Sequence, residues 1–526
     1  MWRNGKNGTG GRRRMSPWKR VLLILCSLAA AFALVIGVLF TWLYTGAKVS
    51  TFGAVDFRNA LAVPPLAAST VEADGTRVFD LRMQAGETEF TPGSKTPTWG
   101  FNGSYLGPTL RAAKGEKVRV KVANALPEAS SVHWHGMHLP AAMDGGPHQA
   151  VPAGGSWTPE WTVEQPASTL WYHPHPHGAT ESHVQRGLAG LFLLDDARSA
   201  VLPLPKTYGV DDIPVIVQDV SFDGAKFDHG HKLMRNVGFL GDRTMVNGTL
   251  DPYVTVRDEL VRLRLLNAST ARVYTFGFDD GREFRQIASD GGLLEAPHAT
   301  DRLRLSPGER AEIVVRIRPG ERTVLRSHPL DAGLDFWNQR FGGGDDSFDV
   351  MQLRGAPTLR PSAELPRTLT PPSTLPTGED SVRGRFFDLK MSGINGRKMD
   401  MFRVDETVTR GTAETWTLRN DDGMPHNFHV HDVRFRVLDI NGAAPPPSLR
   451  GPKDTVFIPS GTTVRIAMRF EGPADPDTPY MYHCHLLYHE DEGMMGQFTV
   501  TDPGGPPPPA KLPPAPGTHQ HAGAHP

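Results

Sequence analysis

The sequence predicts an all-β protein of three consecutive homologous Greek-key β-sandwich or barrel domains behind one N-terminal transmembrane helix. Three observations predict it. After residue 70, short alternating apolar runs bounded by turn residues replace any helical period, in a chain with 55 glycines and 46 prolines. A pattern recurs three times at about 150 residues, the size of a whole domain and too long for a solenoid unit. An uncharged run from Val21 to Ala47 follows a basic head.

That head, residues 1–20, carries Arg3, Lys6, Arg12, Arg13, Arg14, Lys19 and Arg20. The run over 21–47 exceeds a signal-peptide core of about 7–15 apolar residues and reaches the roughly 20 that span a bilayer. It reads as an uncleaved, single-pass signal anchor. The basic head then lies in the cytoplasm and the bulk of the chain on the extracytoplasmic side of the cell membrane. Cleavage after Thr45-Gly46-Ala47, giving a secreted form, is the alternative. Cys26 falls in the span, so Cys484 is the only cysteine in the exported part and no intrachain disulfide is available there. A lone thiol in an oxidising compartment is buried or bound. A net charge of −1 argues against a nucleic-acid partner.

The repeat units are TLRAAKGEKVRVKVAN (109–124), PYVTVRDELVRLRLLN (252–267) and VDETVTRGTAETWTLRN (404–420). Each reads as a strand, a turn and a second strand ending in Asn. VPAGGSW, LSPGERA and IPSGTTV follow as a second shared element. The expected domains are 70–200, 205–355 and 381–502, with a Pro-rich linker over 356–380 and a disordered Pro-rich tail over 503–526. His519, His521 and His525 in that tail read as solvated.

The histidines follow the repeat. Nine residues after Asn124 and Asn420 come His133-Trp134-His135 and His429-Val430-His431; nine after Asn267 comes Phe276-Gly277-Phe278. Downstream, His173 and His175 match His483 and His485, and the middle unit keeps only His328. Strand residues i and i+2 share a face. His483 and His485 therefore point one way and Cys484 the other. Parity separates a His2CysMet set, His426, Cys484, His489 and Met494, from eight paired histidines. His2Cys with a weak axial Met is a copper electron-transfer donor set; zinc disfavours the thioether and leaves the eight histidines without a role. Eight neutral imidazoles can hold about three ions with open positions for oxygen. The His-Cys-His triplet joins the two sites through the backbone.

The motifs HWHG, WYHPHPHG, HNFHVH and HCHLLYHEDEGMM resemble those of three-domain bacterial multicopper oxidases over about residues 70–502. The group includes cuprous oxidases, bilirubin oxidases and spore-coat-type laccases. The resemblance implies three cupredoxin-like domains and four copper ions per chain. A type 1 copper would take His426, Cys484, His489 and Met494, and a type 2 copper His133 and His429. One type 3 copper would take His135, His173 and His485, the other His175, His431 and His483. Asp144 and Glu490 match the family's acidic residues, which would supply protons and hold ligands. Asn427 stands where the family's motif has proline; as a non-ligand it is expected to matter little. His138, His148, His177 and His183 receive no metal.

The expected reaction is laccase-like: one-electron oxidation of phenolic substrates at the Cys484 copper, coupled to reduction of O2 to water, by a monomer. Asp422 and Met424 match the offsets of a cuprous-binding carboxylate and methionine, so Cu(I) is the alternative donor, with Fe(II) also suited. The Met- and His-rich insertion of copper-detoxifying members is absent; only Met391, Met399 and Met401 are scattered through this stretch. Copper-free structural envelope proteins of the same fold are the alternative of a different class.

Overall fold

The computed structural model describes residues 15–47, 49–230, 237–330, 333–390, 393–509 and 511–512. The basic residues Arg3 to Arg14, Met391, and the tail residues His519, His521 and His525 lie outside the described residues. The chain divides into two units, 1–48 and 49–526.

The first unit is one helix, Pro17–Gly46, of 30 residues. Pro17 sits at the start, where its missing N–H costs nothing. At 1.5 Å per residue the helix is about 45 Å long, more than a hydrocarbon core of about 30 Å. Its best window has mean hydropathy 2.9, so it is long and apolar enough to cross a membrane.

The second unit is almost wholly β, as the sequence predicts, and holds three cupredoxin-like sandwiches. Each repeat becomes the expected strand pair: Leu110–Ala113 and Lys117–Ala125, Pro252–Asp258 and Leu260–Asn267, Glu406–Thr409 and Ala413–Asn420. The two strands of each pair lie in different sheets, so every repeat steps between the layers of its own sandwich. The terminal Asn does the same work three times. Asn124 Nδ2 donates to Glu128 and Val151 carbonyls, Asn267 Nδ2 to Arg272 and Leu305, and Asn420 Nδ2 to Met424 and Ile458. Each carboxamide thus pins the approach to the next strand, the one bearing His-x-His or Phe-x-Phe, onto the second shared element.

The cores are apolar and separate. Trp134, Trp161, Tyr172 and Phe192 fill the first; Tyr274, Phe276 and Phe278 the second; Trp416, Phe428, Tyr482 and Phe498 the third. Phe276 and Phe278 are fully buried, so the middle sandwich keeps the geometry of the repeat without its donors.

Three boundaries differ from the sequence reading. The last strand of the middle sandwich, Phe348–Arg360, runs into the stretch read as linker, because Arg360 pairs with Asp258 at 2.7 Å; the irregular segment begins after Arg360. The tail is seated at first: Leu512 is buried and its N–H donates to Phe402 O at 2.9 Å. The segment before residue 70 is also part of the body, since Asn59–Ala60 pairs in parallel with Pro252 and Tyr253.

Candidate metal centre

The first and third sandwiches each present two neighbouring histidine strands. His133–His135 runs antiparallel to Ser168–His173, with His133 opposite His173. His426–Val430 runs antiparallel to Asp475–His483, with His429 opposite His483. The eight paired histidines converge in one buried chamber. Donor nitrogens of His135, His173 and His485 lie within 4.8 Å of one another, as do those of His175, His431 and His483, and those of His133, His135 and His429. His175 Nε2 and His431 Nε2 are each 3.2 Å from His483 Nε2, and His135 Nδ1 is 3.3 Å from His173 Nε2.

The opposite ring nitrogens are fixed by oxygen acceptors. His133 Nδ1 donates to Asp144 O (3.0 Å), His429 Nδ1 to Asp454 O (2.9 Å), His173 Nδ1 to Pro174 O (2.8 Å) and His431 Nδ1 to Asp144 Oδ2 (2.7 Å). Such a bond selects the tautomer whose other nitrogen carries a free lone pair. His135 is turned around: Nε2 lies 3.2 Å from both Asp454 Oδ1 and Thr455 Oγ1, and Nδ1 faces the chamber. Burial, then the neighbouring imidazoles, pushes His135, His429 and His431 well below the usual histidine range. Burial takes His175 and His485 down to about 3. Neutral imidazole is the ligating form. His133 Nε2 and His429 Nε2 are buried and have no hydrogen-bond partner among the described residues. Two orphaned lone pairs in a chamber of neutral imidazoles fit a metal ion.

The second donor set lies in the core of the third sandwich. Cys484 Sγ is 3.7 Å from His426 Nδ1 and 3.6 Å from His489 Nδ1, and the two nitrogens are 3.1 Å apart. Met494 is fully buried in the same cluster and its carbonyl accepts the Cys484 N–H at 3.0 Å. Burial pushes the Cys484 thiol up to about 12, so without metal it is protonated and unreactive. The alternation expected along the strand persists past its end at His483: Cys484 belongs to this set, His483 and His485 to the chamber. His483 Nδ1 also donates to Cys484 O at 3.1 Å, a second link between the sites.

The short helix Leu487–Asp491 serves three purposes. His489 faces Cys484. Glu490, fully buried, sits 3.3 Å from His175 Nδ1 and 3.1 Å from His483 Nδ1. Burial alone would raise its carboxyl; His175 and His483 hold it well below the usual range. Asp491 accepts the N–H groups of Thr180 and Glu181, tying this helix to the first sandwich. Asp144 reaches both histidine strands, through His133 and His431. Asp422 Oδ2 is 3.4 Å from His426 Nε2, and Met424 is buried against Val237 and Ala271. His148 and His183 bind Gln497 and Glu128, away from the donor groups.

Sequence reasoning missed three residues. Asp454 holds His429 and His135 from beneath. Arg310, from the middle sandwich, forms a bidentate pair with Asp454, 2.7 Å on each arm, and both are wholly buried. Its remaining N–H groups donate to Thr169, Gly308 and Asp290 carbonyls, so all five donors are used and all three sandwiches are joined. Gly136, the last residue of HWHG, has φ +86°, and a Cβ there would meet Arg310 and Asp454 at 2.6 Å. The third residue, Asn427, expected to matter little as a non-ligand, touches both donor sets. Its Oδ1 accepts the His485 N–H at 2.6 Å and lies 3.6 Å from Cys484 Sγ. Its Nδ2 donates to Pro307 O (2.8 Å) and Ser306 Oγ (3.2 Å) of the middle sandwich. The one available signal was the repeat itself: Ser306 to Arg310 lie in the middle copy of the second shared element.

Three cupredoxin-like sandwiches with one His2Cys set and one eight-histidine chamber define the class of three-domain copper oxidases. Two segments, 82–199 and 368–504, match the multicopper oxidase family. The chain is 35% identical to "Multicopper oxidase mco" of Staphylococcus haemolyticus, over 85% of this chain and 93% of that protein. It is 37% identical to "Cell division protein FtsP" of Salmonella typhimurium, over 87% and 96%. Among solved structures, the laccase-like multicopper oxidase CueO of Ochrobactrum sp. superimposes with a TM-score of 0.76 at 36% identity, over 84% of this chain and all of that one. The chain belongs to the multicopper oxidase family.

Proposed function

We propose that this protein is a copper oxidase of laccase-like type, taking single electrons from phenolic donors and reducing O2 to water. The observation that carries the reading is the pair of complete donor sets, joined by His483-Cys484-His485, with His133 Nε2 and His429 Nε2 buried and unpartnered. Four copper ions fit the groups: one at His426, Cys484, His489 and Met494, one at His133 and His429, and two at the remaining histidine triplets. Bound copper supplies one-electron chemistry and oxygen binding. The protein's own residues do the rest. Cys484 would hold the copper that takes up the electron, and its peptide links to His483 and His485 would connect that site covalently to the chamber. Glu490 and Asp144 sit within hydrogen-bond reach of ligand imidazoles, placed to hold them and manage protons. Asp422 lies against His426, and Met424 is buried two residues before it, so both are candidates to meet an approaching donor. The CueO relative is described as having oxidase activity towards lignin model compounds, which favours a phenol. The helix Pro17–Gly46 reads as the anchor that keeps the catalytic body outside the membrane.

Oxygen uptake by the copper-loaded fragment from Val49, with Cu(I) and a methoxyphenol side by side, tests the donor. Faster turnover of the phenol, indifferent to Met424→Leu, is expected. Faster turnover of Cu(I), weakened by Met424→Leu, would make this a cuprous oxidase instead. The FtsP relative keeps a non-catalytic envelope role in view. Copper content decides: about four ions per chain for the oxidase, none for a structural protein.

Asn427 gives a spectroscopic prediction. The negative end of its amide faces the Cys484 sulfur, which disfavours adding an electron at that site. Asn427→Leu is expected to raise the midpoint potential of the Cys484 site and shift its visible absorption, with copper content unchanged. An unmoved potential would show that the carboxamide only braces the backbone.

A further inference from the structure

We propose that the cleft where the three sandwiches and the Pro-rich segment meet binds a small multivalent oxyanion, a phosphate or a polycarboxylate. The cleft has a volume of about 920 Å3. No histidine or cysteine of either donor set lines it. Its walls carry five cations, Lys114, Arg198, Arg434, Arg436 and Arg450, against two carboxylates.

Neither carboxylate neutralises those cations. Asp196 accepts the Ser199 and Ala167 N–H groups, and Glu295 accepts the Ser373 N–H. Among the described residues the four guanidinium groups donate only to backbone carbonyls: Arg198 to Leu369, Arg434 to Gly291, Arg436 to Ser373 and Leu375, and Arg450 to Pro445. The Nε groups of Arg434 and Arg436 are buried and have no partner among the described residues. Burial also pushes the Arg434 guanidinium below its usual range. Glu471 acts on Arg434 and Asp380 on Arg436 from outside the cleft, yet neither carboxylate accepts a hydrogen bond from them among the described residues. A desolvated guanidinium with unfilled donors is costly, and its planar fork matches oxyanions bidentately.

The placement follows from the fold. Arg434 just precedes strand Phe435–Ile440 and Arg436 lies in it, and both line the same cleft wall. Pro371 and Pro372 supply a stiff rim, giving the Pro-rich segment a role beyond spacing the sandwiches. On the floor, Gly291 N–H donates to Pro452 O at 2.9 Å, beside the buried Lys453–Asp290 pair at 2.8 Å. An anion held between Lys114 or Arg198 and these arginines would bridge the first and third sandwiches and oppose their separation.

The test is thermal unfolding and calorimetric titration of the full chain in non-ionic detergent, metal-free and copper-loaded. The probes are inorganic phosphate and tricarballylate, a tricarboxylate without the hydroxyl that makes citrate a copper chelator. Chloride at matched ionic strength is the control. A saturable rise in Tm with either probe, absent with chloride, is expected. Phosphate alone would assign a phosphate ligand, and tricarballylate alone a polycarboxylate. Binding should weaken about tenfold or more in Arg434→Gln/Arg436→Gln, the loss of one charge-assisted hydrogen bond being worth about that factor. If that variant does not fold, the exposed Arg450→Gln should weaken binding about threefold on the same reasoning. Equal stabilisation by chloride, no saturable binding, or undiminished binding in the folded variants would overturn the proposal.

Discussion

Replacing Arg310 by methionine is expected to lower the stability of the body by about 3–5 kcal/mol, the usual cost of leaving one member of a buried ion pair alone. Arg310 and Asp454 are both wholly buried, and the pair is bidentate at 2.7 Å. Burial alone would push the guanidinium down; Asp454 and Asp290 hold it up, so the charge belongs to the folded state. The same substitution should cost 10–100-fold in metal affinity at the His133–His429 position, because Arg310 seats Asp454, whose main-chain carbonyl accepts from His429 and whose carboxylate faces His135. Copper stoichiometry and the electron paramagnetic resonance of that ion read the second effect, and the denaturant midpoint reads the first. Arg310→Met/Asp454→Leu separates them. Removing both charges should recover most of the stability and none of the metal affinity. Recovery of both would reduce the pair to packing.

Glu490→Gln is expected to lower turnover at saturating donor by about 10²–10⁴-fold, the range for a lost proton-transfer group. Glu490 faces His175 and His483 and does not touch Cys484. The variant should therefore keep its visible absorption and bleach normally when donor is added without oxygen. Only the return of colour on admitting O2 should slow. If colour returns at the parent rate, Glu490 holds its histidines and moves no proton. If copper content falls as well, its part is chiefly that of a brace.

The donor atoms were legible because two local rules expose them. The repeat places His133, His135, His429 and His431 at one offset from Asn124 and Asn420, and strand alternation sorts Cys484 from His483 and His485. Neither rule needs the third dimension. Asp454, Arg310 and Asn427 were not legible, for a common reason. Arg310 meets Asp454 across 144 residues, and Asn427 meets Pro307 across 120. A contact of that separation has no periodicity, and a lone Arg, Asp or Asn in a strand or turn is ordinary surface chemistry until packing buries it. Asn427 shows how a family pattern can mislead: the position is not a ligand, yet its carboxamide touches the ligand sulfur.

By itself the sequence determined the class of fold, the threefold repeat, the absence of paired histidines from the middle copy and which histidines and cysteine the fold brings together. Periodicity, spacing and residue chemistry are local properties and are written in the chain. Only the tertiary structure decided that the middle sandwich holds the metal chamber of its neighbours through Ser306, Pro307 and Arg310. It alone also brought Lys114, Arg198, Arg434, Arg436 and Arg450 into one cleft. Those relations exist only when desolvation makes unpaired charges and donors costly, and the docking of the sandwiches determines which groups are buried together.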